Sequence, residues 1–268
     1  MRAAALILLL LGPAACRRDP PPPPAEPAAD ASASPPADAS GVRILSEGRE
    51  PRARLSFAFV PGRTEARVLA IDSHMELNDK PRVDEHVEIR FDVRYLSADT
   101  VEMTVTHAET TAPDIPRIES TRGAVFRQRF GKDGTTDPPV VTFPPSAQGT
   151  AKQYVEGAVK QLGAALLPAC PPAPVGEGAR WRWGSGEGPV YELLARRGDL
   201  VTVQEIIEIH GSRPGDRGKT IEVSEDQSVR VEVPQGGIAR HVDSTLVAVR
   251  KKGTSLTTHL RFDVQDIP

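Results

Sequence analysis

Cysteine is almost missing from this chain, which has two in 268 residues. Cys16 closes an N-terminal apolar run, and Cys170 sits among prolines in Pro168-Ala169-Cys170-Pro171-Pro172. A disulfide-stapled fold is thereby excluded, and with Cys16 used otherwise Cys170 has no partner in the chain. A lone cysteine in so rigid a connection reads as a small buried residue, not as a nucleophile. Aromatic residues make up 4% of the chain, which argues against a sugar-binding cleft. The net charge is −3 and the body carries no basic block, so nucleic acid is not an expected partner.

The motifs of the common chemistries are also missing. The six histidines, His74, His86, His107, His210, His241 and His259, show no His-x-x-x-His spacing. Strand pairing can still bring two of them beside Asp72, Asp84 or Asp243, although solvent-facing strand histidines are the ordinary case. Gly184-Ser185-Gly186 lacks the spacing of a nucleophile elbow, and no glycine-rich phosphate loop occurs. Asp79, Asp84 and Glu85 cluster near Asn78 without matching an EF-hand loop, and read as a solvated loop. The expectation is a protein with no enzymatic activity, no cofactor and no resident metal.

What is present begins at the first residue. Met1-Arg2 is followed by the apolar run Ala3 to Leu11, then Gly12-Pro13-Ala14-Ala15-Cys16. This run is too short to span a membrane and has the composition of a secretory signal peptide, residues 1–15. Pro13-Ala14-Ala15-Cys16 resembles the lipobox of bacterial lipoproteins, with Pro13 departing from the aliphatic residue usual there. The resemblance implies cleavage before Cys16 and a lipid on its sulfur; cleavage after Ala15 without a lipid is the alternative. Arg17, in place of Asp, points by the same analogy to the outer membrane, facing the periplasm. Residues 16–50 then form the lipid-attachment cysteine and a stalk. From Arg17 to Ser40 the chain is low in complexity, with the run Pro20–Pro24, and has too little to bury to offset the entropy of folding. Proline stretches of this kind are extended at about 3.1 Å per residue.

The body, 51–268, alternates apolar and polar residues. From His86 to Tyr95, Val87, Ile89, Phe91, Val93 and Tyr95 face one way and charged residues face the other, as in a strand with one wet face. Val101, Met103 and Val105 repeat the pattern, and Leu55, Phe57 and Phe59 suggest an earlier strand. Strands are also expected at Tyr191–Leu194, Leu200–Ile209, Thr220–Val223, Val229–Val233, Ile238–Arg250 and Leu256–Val264. One helix, about 148–167, carries Tyr154, Val155, Ala158, Val159, Leu162 and Leu166 at helical spacing and ends at Pro168. It joins strand-rich halves at about 51–145 and 175–268. The expected fold class is mainly β, as a curved antiparallel sheet, or two sheets, with one main helix packed across.

Pro171, Pro174, Val175, Gly178 and Trp181 follow the helix in a Pro-x-x-Pro-Val-x-x-Gly-x-x-Trp segment. With the order of elements, this segment resembles an uncharacterised family of exported bacterial lipoproteins that has no established activity. More remotely, a curved sheet covered by helix is similar to the periplasmic carrier and receptor proteins of the LolA/LolB type, a likeness of fold that does not fix function. Two readings follow. In the first, the tethered body binds an apolar ligand or lipid along its sheet, lined by Phe91, Val93, Val105, Trp181, Trp183 and Phe262. In the second, it is a structural or accessory lipoprotein that binds another envelope protein and has no cavity. Trp181 and Trp183 share a strand face under either reading, and core packing is the commoner use of such a pair.

Overall fold

The computed structural model describes residues 41–76, 83–113, 115, 117–184, 188–214, 220–250 and 254–264. In chain order the strands are β1 (Val42–Ser46), β2 (Thr64–Glu76), β3 (Val83–Tyr95), β4 (Thr100–Thr110), β5 (Val125–Arg129) and β6 (Val140–Thr142), then helix α1 (Gly149–Ala165). After it come β7 (Arg180–Trp183), β8 (Val190–Arg197), β9 (Leu200–Pro214), β10 (Thr220–Pro234), β11 (His241–Arg250) and β12 (Thr254–Val264). All twelve strands belong to one sheet in the order β1-β7-β8-β9-β10-β11-β12-β2-β3-β4-β5-β6, and every pairing is antiparallel. The two halves are therefore not two sheets hinged at the helix. β12 pairs directly with β2, from Ser255↔Glu76 to Val264↔Arg67.

The alternation in sequence is the alternation in space. Val87, Ile89, Phe91, Val93 and Tyr95 are all buried, while Arg90, Asp92 and Arg94 are exposed. On β4 the inward set shifts from Val101, Met103 and Val105 to Ala108, because Arg90 pairs with His107 and Phe91 with Val105. Thr106 is the extra residue of a β-bulge, which bends the strand and reverses the sense of alternation beyond it.

α1 buries Ala151, Tyr154, Val155, Ala158, Val159, Leu162 and Gly163, a single face at 3.6-residue spacing. The face packs into the main core with Ile89, Phe91, Phe126, Leu260 and Phe262. Gly163 is fixed by contact: a Cβ there would stand 2.5 Å from Gln128 Oε1, on the inward face of β5. Beyond the helix, buried Leu166 accepts a bond from Ala239 N, tying the exit to the β10–β11 turn.

Two sequence readings are corrected here. Leu55, Phe57 and Phe59 do not form a strand; the segment crosses the end of the sheet. Ala58 N bonds Gln235 O and Phe59 N bonds Ala98 O, so its backbone serves two turns while Leu55 and Phe59 are buried between them. Phe59 meets Tyr95 and Phe130 ring to ring, which explains an apolar period-2 pattern without a strand partner. The sheet also begins before residue 51: Val42 is buried, and β1 pairs with β7 through Val42↔Trp183 and Ile44↔Trp181.

The proline-rich motif gains a physical account. Val175 is buried and bridges Ala53, and Gly176 passes so near Arg49 that a Cβ would lie 1.6 Å from its carbonyl oxygen. Gly178, at φ 79°, turns the chain into β7 and donates to Leu193 O. The segment thus lays the chain between α1 and β7 across the incoming strand β1.

Candidate ligand-binding face

The residues expected to line a cavity are core residues. Phe91, Val93, Val105, Trp181 and Phe262 are each at most 1% exposed and belong to one packed cluster. Trp183 is half-buried at the margin of that cluster. Trp181 stacks on Tyr191 with ring centroids 5.8 Å apart, and its indole N–H donates to Ala169 O at 2.7 Å. These side chains form a closed floor filled by α1 and the connection after it.

Above that floor the inner face of the sheet changes character. Register across β9, β10, β11, β12, β2 and β3 sets out successive rows. The row Val203, Val231, Val242, Phe262, Leu69, Ile89 is wholly apolar and buried. The next, Glu205, Val229, Ser244, Leu260, Ile71, Val87, admits two polar residues. The third, Ile207, Gln227, Leu246, Thr258, Ser73, Glu85, holds two apolar residues, Ile207 and Leu246, and is polar from Thr258 to Glu85. Further out Ala248 packs with Met75 in a small cluster separate from the main core. A zigzag polar seam from Glu205 to Glu85 thus borders the main core; Leu246, within it, and Ala248, beyond it and opposite the buried Glu225, are each 5% exposed without belonging to the main core.

The seam is only partly satisfied. Gln227 Nε2 donates to Ser244 Oγ at 3.2 Å, and Tyr191 Oη donates to Glu205 Oε1 at 3.1 Å. Thr258 Oγ1, on a residue 5% exposed, has no hydrogen-bond partner. Burial pushes the Glu205 carboxyl up to about 7, against the opposing pull of its bond from Tyr191. This part of the wall combines apolar surface with hydrogen-bonding groups.

Other features were not legible beforehand. At the floor's lower end, Arg67 is 1% exposed, donates to Glu65 Oε1 and to Arg240 O, and lies over the Phe262 ring. Tyr95 Oη donates to the same Glu65 oxygen and accepts from Ile238 N, and burial with that carboxylate raises its hydroxyl to about 12. This buried pair clasps β2, β3 and the β10–β11 turn. A cleft of about 530 Å³ opens beside edge strand β6 and the start of α1, between Phe143, Pro144, Lys152 and Glu156. Cys170 is buried, and desolvation pushes its thiol up to about 12, which leaves it unreactive at neutral pH. All six histidines stand in strands on the outer face, opposite the core. Cys16 and its surroundings, Asn78, Asp79 and Ser185 lie outside the described residues.

No family model and no curated protein matches the sequence. Among solved structures, a lipovitellin structure described for its lipid–protein interactions matches with a TM-score of 0.52 and 11% identity, over 78% of this chain and 26% of that one. This chain therefore spans about a quarter of lipovitellin, and the likeness establishes a shared fold. A LolA-superfamily protein from Nitrosomonas europaea matches at 11% identity over 78% of this chain and 90% of that one, with a TM-score of 0.20. DynF of the dynemicin pathway of Micromonospora chersina matches at 6% identity over 88% and 94%, with a TM-score of 0.19. At these two scores the likenesses carry no argument.

Proposed function

We propose that this chain is an exported, membrane-tethered protein of the cell envelope that binds an apolar ligand or lipid on the inner face of its sheet and catalyses no reaction. The observation that carries the reading is the apolar surface outside the main core, with Leu246 within the polar seam and Ala248 and Met75 beyond it. Across two neighbouring rows Glu205, Gln227, Ser244 and Thr258 set polar groups against apolar neighbours, and Thr258 Oγ1 has no partner there, although a buried polar group costs free energy unless bonded. An amphiphile with its chain on Leu246 and Met75 and its polar end at the seam uses both kinds of surface. The lipid–protein interactions described for lipovitellin are in keeping with this use of the shared fold. A lipid on Cys16 and a stalk up to Ser40 would hold the body at the outer membrane, facing the periplasm.

A second reading, docking of another envelope protein, is favoured by one observation. Edge strand β6 is three residues long, its Val140 is 67% exposed, and the cleft beside it is lined by Val141 and Phe143. An extended partner segment could add to such an edge.

The two are separated by uptake of N-phenyl-1-naphthylamine, whose fluorescence rises in apolar surroundings. Saturable uptake is expected, with at least a tenfold loss in Leu246→Gln and none in Val140→Ser, thermal unfolding being recorded in parallel. Uptake that fails in the wild type, or that is lost only in Val140→Ser, overturns the proposal.

A further inference from the structure

We propose that the chain's own proline run, residues 20–27, docks in the cleft of about 530 Å³ beside β6 and the start of α1. Those residues read Pro-Pro-Pro-Pro-Pro-Ala-Glu-Pro and lie outside the described residues. The cleft is lined by Val141, Phe143, Pro144 and Pro145, with Lys152 and Glu156 from α1. Phe143 is half-buried and braced by Phe126, ring edge to ring face at 5.9 Å between centroids, and Lys152 Nζ stands 5.2 Å from its centroid. Proline segments dock on aromatic-lined grooves of this kind, because a chain that is already extended loses little entropy on binding. The edge itself suits an added strand less well. β6 is three residues long and lies between Pro138-Pro139 and Pro144-Pro145, whose nitrogens have no hydrogen to donate. A proline run asks for no such donors.

Charge and reach select this segment. The first turn of α1 holds no acidic residue and sets Lys152 at the positive end of the helix, where Arg117 also donates to Gln148 Oε1 at 3.5 Å. Glu156 is bonded by Lys160 Nζ at 2.7 Å, whereas Lys152 has no carboxylate partner among the described residues. Between residues 19 and 40 the charged residues are Asp19, Glu26, Asp30 and Asp38, all acidic. Glu26 can therefore meet Lys152 while the prolines before it cover Phe143. The Trp181 indole, on the strand next to β1, bonds Ala169 past the far end of α1. The cleft at the near end thus stands roughly one helix length away, about 26 Å for 17 residues. The fourteen residues from Pro27 to Gly41 reach about 43 Å when extended. Docking brings Cys16, four residues before Pro20, beside β6, and so fixes which edge of the sheet faces an anchor on that cysteine.

Carbodiimide, which joins a carboxylate to an amine in contact with it, tests this on the full chain purified from whichever fraction holds it, soluble or membrane. The Lys160–Glu156 pair supplies an internal standard. The expected product joins Lys152 to Glu26 within one chain, as read by mass spectrometry on a mixture of ¹⁴N and ¹⁵N protein. Phe143→Ser should cut its yield at least fivefold against the standard. Replacing Pro20 to Pro24 with serine should do the same and leaves the body unaltered, so its result stands even where Phe143→Ser disturbs the fold. A standard that forms with no Lys152–Glu26 product overturns the proposal. So does a product found only between chains, which assigns the cleft to a partner, or a yield that the serine run leaves unchanged.

Discussion

Trp181→Ala is expected to lower the unfolding free energy by about 3–5 kcal/mol, the range for truncating a large buried aromatic residue. The side chain is fully buried, stacks on Tyr191, and its N–H satisfies the carbonyl of Ala169 in the connection after α1. Removing it empties the floor of the sheet and leaves that carbonyl without its donor, so two penalties combine. It also loosens β7, whose partner β1 has Ile44 directly opposite. Urea unfolding followed by far-ultraviolet circular dichroism measures the loss. Trp181→Phe, which keeps the stack and loses the hydrogen bond, should recover a large part of it. A change below about 1 kcal/mol in Trp181→Ala would mean that the indole stands in a compliant cavity and not in a packed core.

Glu205→Gln is expected to do the opposite and stabilise the protein above neutral pH. Glu205 has its folded-state pKa raised from 4.5 to about 7, chiefly by desolvation. Below about 4.5 the carboxyl is protonated in both states and contributes no pH dependence. As pH rises from there to about 7, the unfolded chain releases its proton while the folded chain keeps it, so stability falls across that window and levels above it. The full drop is about 3 kcal/mol. A glutamine still accepts the hydroxyl of Tyr191 and has no charge to desolvate. The variant should therefore lose this slope and exceed the wild type at pH 8 by about 2 kcal/mol. Thermal unfolding from pH 4 to 9 follows it; an unchanged slope would place Glu205 in water, and with it the seam it belongs to.

The parts of the fold that sequence made legible are those governed by local periodicity. β3 alternates without interruption, β4 does so up to its bulge at Thr106 and β12 but for the inward Thr258, and α1 carries its buried face at helical spacing, so each was readable from its own residues. What escaped was set by partners far along the chain. β5 and β6 are short, and β6 is exposed or half-exposed throughout, so nothing in their own pattern marks them. Phe57 and Phe59 alternate like a strand but pack between turns. The direct pairing of β12 with β2, which makes one sheet of two halves, is a contact between the two ends of the body and leaves no local trace. Phe91, Val93, Val105, Trp181 and Phe262 were legible as inward residues, but whether an inward residue faces helix or hollow depends on where α1 lies. The seam was hidden for a related reason: Ser73, Gln227 and Thr258 are unremarkable strand residues until register sets them level with one another and beside Ser244 in the adjoining row.

The central claim is that the inner face above α1 holds an apolar ligand or lipid. Native mass spectrometry of Gly41–Pro268, which contains every strand and the helix, tests it on material purified without detergent from a bacterial periplasm. The expected spectrum shows a lipid-sized mass adduct on the wild-type body that Leu246→Gln loses. A clean apo mass that stays unchanged after incubation with phospholipid or fatty acid would contradict the account and leave a sheet whose inner face closes on itself.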